Sequence, residues 1–452
     1  MRINVLVAEI GSTTTVVNGF QDINSPRPKF LGQGQAPTSV LEGDVNIGLK
    51  AAIDNLAKNL GVSEIQYDEM LATSSAAGGL KMSVHGLVYD MTVRAAKEAA
   101  LGAGAIIHQI TAGKLKRTDI KNIKEIQPNI ILIAGGVDYG ERDTAIYNAE
   151  RISELSLNIP VIYAGNIENQ EEIKEIFLEK NIRLYCVENV YPKIDQLNIE
   201  PTRSVIQDVF EEHIIHAPGM IKVREVVDGP IIPTPGAVME ASKLLMENIG
   251  DLITFDVGGA TTDLHSVTEG SEEISRILIS PEPVAKRTVE GDLGVYVNML
   301  NIVERIGREV LSKKLSVDID KLIVEHKPIP KTPQEIEFVQ ALTQEAVLTA
   351  LERHAGKLRF LYEAGGKTKV AEGKDLSSVK YIIGTGGALT RLPRGKDILS
   401  EVKEKSIVNL LYPTKEATVL IDNHYIMASL GVLSKRHPNA ALLLLKESLG
   451  LK

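Results

Sequence analysis

Residues 252–264 read Leu-Ile-Thr-Phe-Asp-Val-Gly-Gly-Ala-Thr-Thr-Asp-Leu, and this stretch decides the fold. An apolar strand brings Asp256 to its end, and a Gly-Gly-Ala turn then lets the backbone approach a ligand closely. A carboxylate beside such a turn is well placed to hold hydrated Mg²⁺, which takes oxygen ligands and keeps several waters. The alternative, a glycine hairpin with a solvated aspartate, is less consistent with the apolar flanks. The stretch therefore predicts a strand–turn–strand unit suited to phosphate and magnesium.

A second turn of this kind lies near the N-terminus, where residues 8–15 read Ala-Glu-Ile-Gly-Ser-Thr-Thr-Thr. It follows an apolar strand, and its backbone N–H groups and hydroxyls are donors suited to phosphate oxygens. Hydroxyls add donors without adding negative charge, which favours an anion. For this stretch taken alone, an ordinary Ser/Thr-rich hairpin is the alternative.

The third turn follows a buried strand near the C-terminus. Residues 379–390 read Val-Lys-Tyr-Ile-Ile-Gly-Thr-Gly-Gly-Ala-Leu-Thr, and the glycines open a helix where small residues can admit a purine and ribose. A Rossmann dinucleotide turn is the rival, but the glycine spacing differs from that fingerprint. A glycine-rich turn without any ligand is the other alternative.

The periodicity of apolar residues divides the chain into two α/β lobes. The first lobe opens with three strands and a helix, at residues 3–10, 13–17, 29–35 and 45–60. Alternating strands and helices from about residue 129 to 187 predict a parallel, doubly wound segment inserted into that lobe. Helices are predicted later at 333–363, 423–433 and 440–449.

These elements give predicted domain boundaries. The first lobe spans 1–250 with its insert at about 110–215, the second spans 251–410, and C-terminal helices over 411–452 return to the hinge and the first lobe.

Composition excludes several classes of function. The 452 residues carry a net charge of −9 without a basic stripe, so nucleic acid is not an expected partner. No stretch approaches the ~20 apolar residues of a membrane span, and no membrane association is expected. Cys186 is the only cysteine, which rules out an internal disulfide. We expect a cytoplasmic protein with a buried, inert thiol.

The order of the three turns resembles that of the actin, hexokinase and heat-shock ATPase superfamily. The resemblance implies a two-lobed actin/heat-shock-type α/β ATPase fold, with the parallel α/β segment inserted, that clamps ATP or ADP with Mg²⁺ between its lobes. The implied phosphate contacts are Gly11, Ser12, Thr13, Thr14, Gly258, Gly259, Ala260 and Thr261. The implied adenosine contacts are Gly384, Gly386, Gly387 and Ala388. The helices that hold Ala237 and Gly431 would connect the lobes at the hinge.

The same resemblance assigns the catalytic carboxylates. Asp256 is the main carboxylate on the Mg²⁺ side, and Glu9 would reach the metal through water. Separately from the resemblance, Asp263 or Glu240 is a candidate to orient the attacking water. Glu9 stands where the superfamily usually has aspartate, and residues 232–235 lack the carboxylate that chaperone ATPases often carry there. We therefore expect slow ATP hydrolysis.

Five further stretches narrow the resemblance, at residues 32–39, 44–49, 74–82, 132–138 and 285–294. The third reads Ser-Ser-Ala-Ala-Gly-Gly-Leu-Lys-Met and the last reads Ala-Lys-Arg-Thr-Val-Glu-Gly-Asp-Leu-Gly. Together with the three turns they look like the glutamate mutase L family, the methylaspartate mutase accessory proteins. That resemblance implies an ATP-dependent, chaperone-like factor that reactivates an adenosylcobalamin-dependent mutase, either glutamate mutase or an aminomutase, by exchanging damaged cobalamin. The implied partners are the mutase subunits, and a homodimer is compatible with the sequence.

Several assignments stay open at this point. The turn at 135–138 either contacts the mutase, together with the insert, or merely ends a buried strand. Lys286, Arg287 and Glu290 either form a polar cluster near the nucleotide cleft, where Lys286 or Arg287 offsets phosphate charge, or lie on a charged surface loop. His265 is expected to be packed or solvent-facing, and no tightly bound cobalamin and no zinc are expected. The rival functions are a small-molecule kinase of the same superfamily and a non-enzymatic nucleotide switch.

Overall fold

The computed structural model of the protein describes residues 1–11, 14–75, 80–155, 157–214, 219–363, 366–405 and 409–451. The chain forms two compact units. Unit 1 comprises Met1–Glu240 and Ala428–Ala441, and unit 2 comprises Ala241–Met427 and Leu442–Lys452.

The first 249 residues open with three strands and then combine strands with helices. In chain order the elements are β1 Arg2–Ile10, β2 Thr14–Gln21, β3 Lys29–Pro37, α1 Val45–Asn59, β4 Gln66–Ser74, β5 Lys81–Gly86, α2 Arg94–Gly102, β6 Ile106–Ala112, α3 Arg117–Ile126, β7 Ile130–Ile133, α4 Asp143–Ser153, β8 Val161–Tyr163, α5 Gln170–Glu179, β9 Leu184–Cys186, α6 Glu200–Ile214, β10 Ile231–Pro233 and α7 Thr234–Ile249.

The first sheet of unit 1 has five strands in the order β10-β4-β1-β2-β3. β2 is antiparallel to β1 and β3, whereas β4 is parallel to β1 and β10. Helix α1 starts at the N-cap Asp44, whose side chain accepts from the N–H of Asn46. A Cβ added to Gly34 on β3 would lie 2.2 Å from the carbonyl oxygen of Ala52, so glycine permits direct backbone contact between β3 and α1.

The second sheet of unit 1 is the predicted parallel insert. Its order is β6-β5-β7-β8-β9 and every neighbouring pair is parallel. Four helices, α2 to α5, connect these strands. Strand β7 is buried along its whole length, as expected for a parallel strand covered on both faces. The sheet starts at Lys81, before the position near residue 110 where the sequence predicts the insert to begin.

The remaining residues build unit 2 and the last helices. In chain order the elements are β11 Leu252–Val257, β12 Thr262–Val267, α8 Glu272–Ser275, β13 Ala285–Glu290, α9 Met299–Ile306, α10 Arg308–Leu315, α11 Ile319–Glu325, α12 Pro333–His354, β14 Lys357–Glu363, β15 Gly366–Glu372, β16 Tyr381–Thr385, α13 Gly387–Thr390, α14 Gly395–Glu404, β17 Thr418–Ile421, α15 Met427–Leu433 and α16 Pro438–Ser448.

The five-stranded sheet of unit 2 repeats the first sheet of unit 1. Its order is β13-β12-β11-β16-β17, with β12 antiparallel to both neighbours and β16 parallel to both neighbours. Strand by strand, this matches the order and direction of β3-β2-β1-β4-β10. The duplicated mixed sheet and the inserted parallel sheet confirm the predicted fold class, an α/β actin/heat-shock-type ATPase fold with an inserted segment.

Two predicted helices have different limits in the structure. The helix predicted over 333–363 ends at His354, and residues 357–363 form β14, which pairs with β15. Gly356 interrupts the helical pattern, and antiparallel pairing with residues 366–372 holds residues 357–363 as a strand. The helix predicted from 423 begins at Met427, because the carboxylate of Asp422 accepts from the N–H groups of Ile426 and Met427 and so caps it.

In the part of the chain that the structure describes, no helix combines the length and apolar character needed to cross a membrane.

Candidate functional site

In unit 1, the predicted phosphate turn joins β1 to β2. The N–H of Gly11 donates to the carbonyl oxygen of Thr14 at 3.0 Å, which closes the turn. A Cβ on Gly11 would lie 2.7 Å from that same oxygen, so the turn requires glycine here. The predicted phosphate contacts Ser12 and Thr13 lie outside the described residues. Gly11 and Thr14 therefore bracket the turn from its two strands.

Glu9, the predicted magnesium-side carboxylate of unit 1, is bonded to the start of α15. Its Oε1 accepts from the hydroxyl of Ser429 at 2.5 Å and from the N–H of Ser429 at 3.2 Å. Asn18 Nδ2 lies 2.8 Å from the Ser429 hydroxyl and 3.4 Å from Glu9 Oε1. The side chains of Asn18 and Ser429 are fully buried. One oxygen of Glu9 thus belongs to a buried hydrogen-bond network that ties β1 and β2 to a helix start.

In unit 2, the turn at 258–261 joins β11 to β12, and residues 296–298 form hydrogen bonds to it. The N–H of Gly258 donates to the carbonyl oxygen of Thr261 at 3.0 Å. The carbonyl of Gly259 accepts from the N–H groups of Tyr296 and Val297 at 2.9 and 2.8 Å. The carbonyl of Ala260 accepts from Asn298 Nδ2 at 3.0 Å. These carbonyl oxygens are engaged by residues 296–298, so their partial negative charge is partly neutralised, which favours an anion at the turn.

The third turn lies against Asp256 within the same unit. Asp256 on β11 pairs with Thr385 on β16, and the chain then passes through Gly386. Gly386 has φ of 83° and a Cβ there would lie 2.6 Å from Asp256 Oδ1 and 2.5 Å from the carbonyl oxygen of Val257. Only glycine fits this left-handed, crowded position. The structure therefore brings together Asp256, the phosphate turn and the predicted adenosine turn.

The four predicted adenosine residues do not share one environment. A Cβ on Gly387 would meet no atom within 4 Å, so open space lies beside this residue. A Cβ on Gly384 would instead meet Leu399 Cδ1 at 2.6 Å and Ile421 Cδ1 at 3.1 Å. Gly384 therefore serves close packing within the unit, and Ala388 is buried in α13. Of the three glycines, Gly387 is the one with open space beside it.

Asp263, a predicted catalytic carboxylate, forms a buried ion pair. Its Oδ1 accepts from Arg287 Nη2 at 2.8 Å and Nε at 3.1 Å, and both side chains are almost fully buried. Its Oδ2 accepts from the hydroxyl of Thr261 at 3.2 Å. A buried carboxylate held by a two-point contact with arginine is well suited to orienting its neighbours. The geometry favours a structural role for Asp263, positioning Thr261, over the predicted catalytic one.

Lys286 and Arg287 do not lie on a surface loop, so that alternative is wrong. Both are part of β13, which pairs with β12. Arg287 is bonded to Asp263, and Lys286 Nζ lies 2.7 Å from Glu282 Oε2 with both side chains largely buried. His265 on β12 is fully buried, in agreement with a packed residue. None of these residues supplies an exposed charge to the turn at 258–261.

The sequence placed Glu290 in a candidate polar cluster but did not reveal its partners at the end of β13. Arg353 on α12 pairs with Glu290 and with Asp292, at 2.5 and 2.7 Å. Arg353 holds the pKa of Asp292 below its ordinary value, whereas burial raises the pKa of Glu290. Arg353 is more than 60 residues away along the chain, so only the fold reveals the cluster. By pairing with Glu290 and Asp292, Arg353 holds the start of the segment that leads from β13 to residues 296–298, which contact the turn at 258–261.

The donor set fits hydrated magnesium. Among the described residues, no group of three or more His, Cys, Asp and Glu side chains is placed to bind a metal. Magnesium bound beside a nucleotide takes one or two protein carboxylates, phosphate oxygens and several waters. Asp256, at the end of β11 and against Gly386, can supply one such carboxylate. The single carboxylate is thus consistent with a metal carried by phosphate.

Comparison of the sequence identifies its relatives. A profile of the MutL protein family matches residues 5–449. Protein MutL of Clostridium tetanomorphum is 36% identical over 459 residues, and the alignment covers 98% of this chain and 98% of that protein.

Solved structures that align with this chain do so at low sequence identity and low TM-scores. A nucleotide-free diol dehydratase-reactivating factor has 10% identity and a TM-score of 0.38, over 97% of this chain and 100% of that chain. A glycerol dehydratase reactivase has 11% identity and a TM-score of 0.33, over 95% and 99%. Nucleotide-free acetone carboxylase has 12% identity and a TM-score of 0.38, over 96% and 70%.

Proposed function

The chain belongs to the MutL protein family, that of glutamate mutase L, and from this premise we propose that it is an ATP-dependent reactivating factor. Its client in this proposal is an adenosylcobalamin-dependent mutase, glutamate mutase or an aminomutase. Reactivation consists of releasing damaged cobalamin so that intact cofactor can bind. Family membership supports the client, and the residues of unit 2 support the use of nucleotide.

The observation that carries the nucleotide part is the contact between two turns in unit 2. A Cβ built on Gly386 would lie 2.6 Å from Asp256 Oδ1, so the two turns are in close contact. Open space lies beside Gly387. In the proposal, Gly387 faces the adenosine, the turn at 258–261 contacts phosphate, and Asp256 orients waters of the bound Mg²⁺. The metal supplies charge neutralisation for the phosphates. Gly11 and Thr14 of unit 1 remain predicted phosphate contacts.

The reactivation part requires two states of the factor that differ in affinity for the client. A nucleotide can shift such an equilibrium only through a difference in its own affinity for the two states. We propose that the Asp256 and Gly386 turns make this difference, because a ligand that contacts both depends on their mutual position. Slow hydrolysis then resets the cycle, in keeping with the absence of a carboxylate at residues 232–235.

The experiment is an ATPase assay with and without glutamate mutase that carries tightly bound hydroxocobalamin. The expected result is a low basal rate that the inactivated mutase stimulates. Asp256→Asn should abolish the stimulated rate, because a neutral amide holds hydrated Mg²⁺ less well than a carboxylate does. The matched control is Asp397→Asn, an exposed aspartate in the first turn of α14 of the same unit. A stimulated rate that survives in Asp256→Asn would contradict the role of Asp256.

A further inference from the structure

The carboxyl ends of β7, β8 and β9 carry loops that are bonded into one platform. Asp138, after β7, accepts at Oδ1 from the N–H of Ile167 and from Asn189 Nδ2, each at 3.0 Å. The N–H of Asp138 donates to the carbonyl oxygen of Pro192 at 3.0 Å. The carboxylate and amide of one residue therefore connect three loops, which fixes the relative positions of their exposed side chains.

A buried asparagine completes the platform. Asn166 is fully buried, and its Oδ1 accepts from the N–H groups of Tyr139 and Glu168, each at 3.1 Å. Its Nδ2 donates to the carbonyl oxygen of Gly140 at 3.3 Å. These polar groups bond to one another within the loops. The platform is therefore built to hold its own outward side chains rather than to recognise a small polar ligand.

The outward side chains are apolar. Tyr139, Ile167 and Ile194 are 78%, 50% and 71% exposed, and each stands on a different one of the three loops. We call these three residues the carboxyl-edge patch. Large exposed apolar groups gathered on a rigid surface are typical of protein interfaces, in which tyrosine is enriched.

The backbone at Tyr139 adds an independent observation. Its φ is 62°, a left-handed conformation that is unfavourable for a bulky side chain and is well tolerated by asparagine or glycine. The fold thus holds an aromatic ring in the open at a position where a smaller residue fits better. Such local strain is typical of residues that act in binding.

The charge around the patch indicates the kind of partner. The exposed acidic residues of the same loops are Glu141, Glu168, Glu188 and Asp195, and the exposed basic ones are Arg142 and Lys193. The rim is therefore acidic in balance. A second copy of this surface would bring acidic rims together, which is unfavourable, whereas a partner with lysine and arginine around an apolar centre would be complementary.

We propose that the carboxyl-edge patch is the docking surface for a protein partner with an apolar centre and a basic rim. Resting on the proposed function, the partner is the client mutase, and the patch is its principal contact on the insert. In this proposal the inserted sheet binds the client, whereas the turns of unit 2 bind nucleotide.

Binding of inactivated glutamate mutase, or of an inactivated adenosylcobalamin-dependent aminomutase, is measured by calorimetric titration for three forms of the full chain. Tyr139→Asn should weaken binding about ten-fold, because tyrosines at interface centres are common hot spots. Its melting temperature should stay equal or rise, since asparagine tolerates the left-handed backbone. Leu178→Ser is the matched control, because Leu178 is also 78% exposed but lies near the end of α5, which leads back to the amino edge of the sheet. Added salt should weaken wild-type binding, because charge complementarity is screened.

Each outcome has a defined meaning. Equal affinities of wild type, Tyr139→Asn and an Ile167→Ser, Ile194→Ser double variant would overturn the patch while leaving the proposed function intact. Self-association of the wild type that Tyr139→Asn abolishes would identify a second copy as the occupant and would also overturn the proposal. Wild type that binds neither mutase would contradict the proposed function itself, and with it the assigned partner. Basal ATP turnover should be the same in all variants, because the patch lies outside the nucleotide turns.

Discussion

Gly386 and Gly387 are adjacent residues with opposite tolerance for a side chain. Gly386 has a positive φ and lies against Asp256, whereas Gly387 begins α13 and has open space where a Cβ would stand. The structural requirement for glycine therefore applies to the first residue only. Packing within the protein does not require glycine at position 387. Close contact with adenosine would explain why this residue is a glycine.

This contrast predicts the behaviour of Gly387→Ala. The free energy of unfolding should change little, because alanine meets no atom there and favours a helix. Affinity for ATP should fall about ten-fold if a purine or ribose approaches this position closely, as one misplaced methyl costs roughly that much. Calorimetric titration with MgATP measures it, with Gly291→Ala, also open around its Cβ, as the control. Unchanged affinity in Gly387→Ala would contradict the adenosine assignment.

The buried His85 should make the free energy of unfolding depend on pH, independently of nucleotide binding. It is fully buried on β5, with Nδ1 2.8 Å from the hydroxyl of Thr111 and Nε2 3.0 Å from that of Ser83. Burial lowers its pKa from 6.5 to about 4. Between these two values the unfolded chain binds a proton at His85 that the folded protein does not bind. The contribution of His85 to the free energy of unfolding is therefore fully present above pH 6.5 and is lost as the pH falls toward 4.

The measurement is urea unfolding of wild type and His85→Asn at pH 7.5 and pH 5. The wild type should lose about 2 kcal/mol more than the variant over this interval, since one unit of pKa corresponds to about 1.4 kcal/mol. The variant removes the titrating group, and comparing differences cancels groups that the two proteins share. Parallel pH dependence in the two proteins would show that His85 does not contribute.

At the scale of elements, α15 explains why residue 9 is a glutamate. The carboxylate of Glu9 reaches the N–H and hydroxyl of Ser429 at the start of α15, where a helix favours negative charge. An aspartate on β1 would be shorter by one methylene. Replacement of the superfamily's aspartate is thus consistent with a carboxylate that binds a helix start, in addition to the predicted contact with the water shell of the metal.

Ser429→Ala tests this connection. The change removes a fully buried hydroxyl that bonds to Glu9 and Asn18, so unfolding should become easier by about 1–3 kcal/mol. The control is Ser434→Ala, which removes a half-buried hydroxyl bonded only locally, to the carbonyl of Gly431 in the same helix. Denaturant unfolding followed by circular dichroism measures both. Equal, small losses in the two variants would contradict the network.

Elements with local signals could be predicted from the sequence. Glycines mark the connections from β1 to β2, from β11 to β12 and from β16 to α13, and the structure has these strands and this helix near the predicted positions. Helix α12 starts at Thr332-Pro333 as predicted, because its capping box is local. Long-range pairing gives no such signal. The bond between Glu9 and Ser429 joins residues 420 positions apart, and the burial of Arg287 against Asp263 depends on the register between β12 and β13.

The hairpin of β14 and β15 shows the same limit within a short segment. Apolar residues after Gly356 were consistent with a continued helix, and only pairing with residues 366–372 selects the strand. At the candidate site, sequence placed Asp256 and Gly386 in one site through the order of motifs. The sequence could not show that Gly384 packs against Leu399 whereas Gly387 lies beside open space, because this difference depends on distant side chains.

At the scale of the whole molecule, two copies of one sheet topology are joined by helices. The chain passes between units within α7, at the start of α15 and within α16. In unit 1, a Cβ on Gly431 of α15 would lie 1.8 Å from the carbonyl oxygen of Ala237 of α7, so these helices approach as closely as glycine permits. The two helices that the sequence predicts at the hinge are therefore in backbone contact within unit 1.

In the proposed function, nucleotide bound at Asp256 drives release of damaged cobalamin from a mutase. The most direct measurement follows the absorbance of cobalamin released from glutamate mutase loaded with hydroxocobalamin, with the factor and MgATP present. We expect release that requires both the factor and ATP and that disappears in Asp256→Asn, while Asp397→Asn behaves as wild type. Release that proceeds equally without ATP, or in Asp256→Asn, would contradict it.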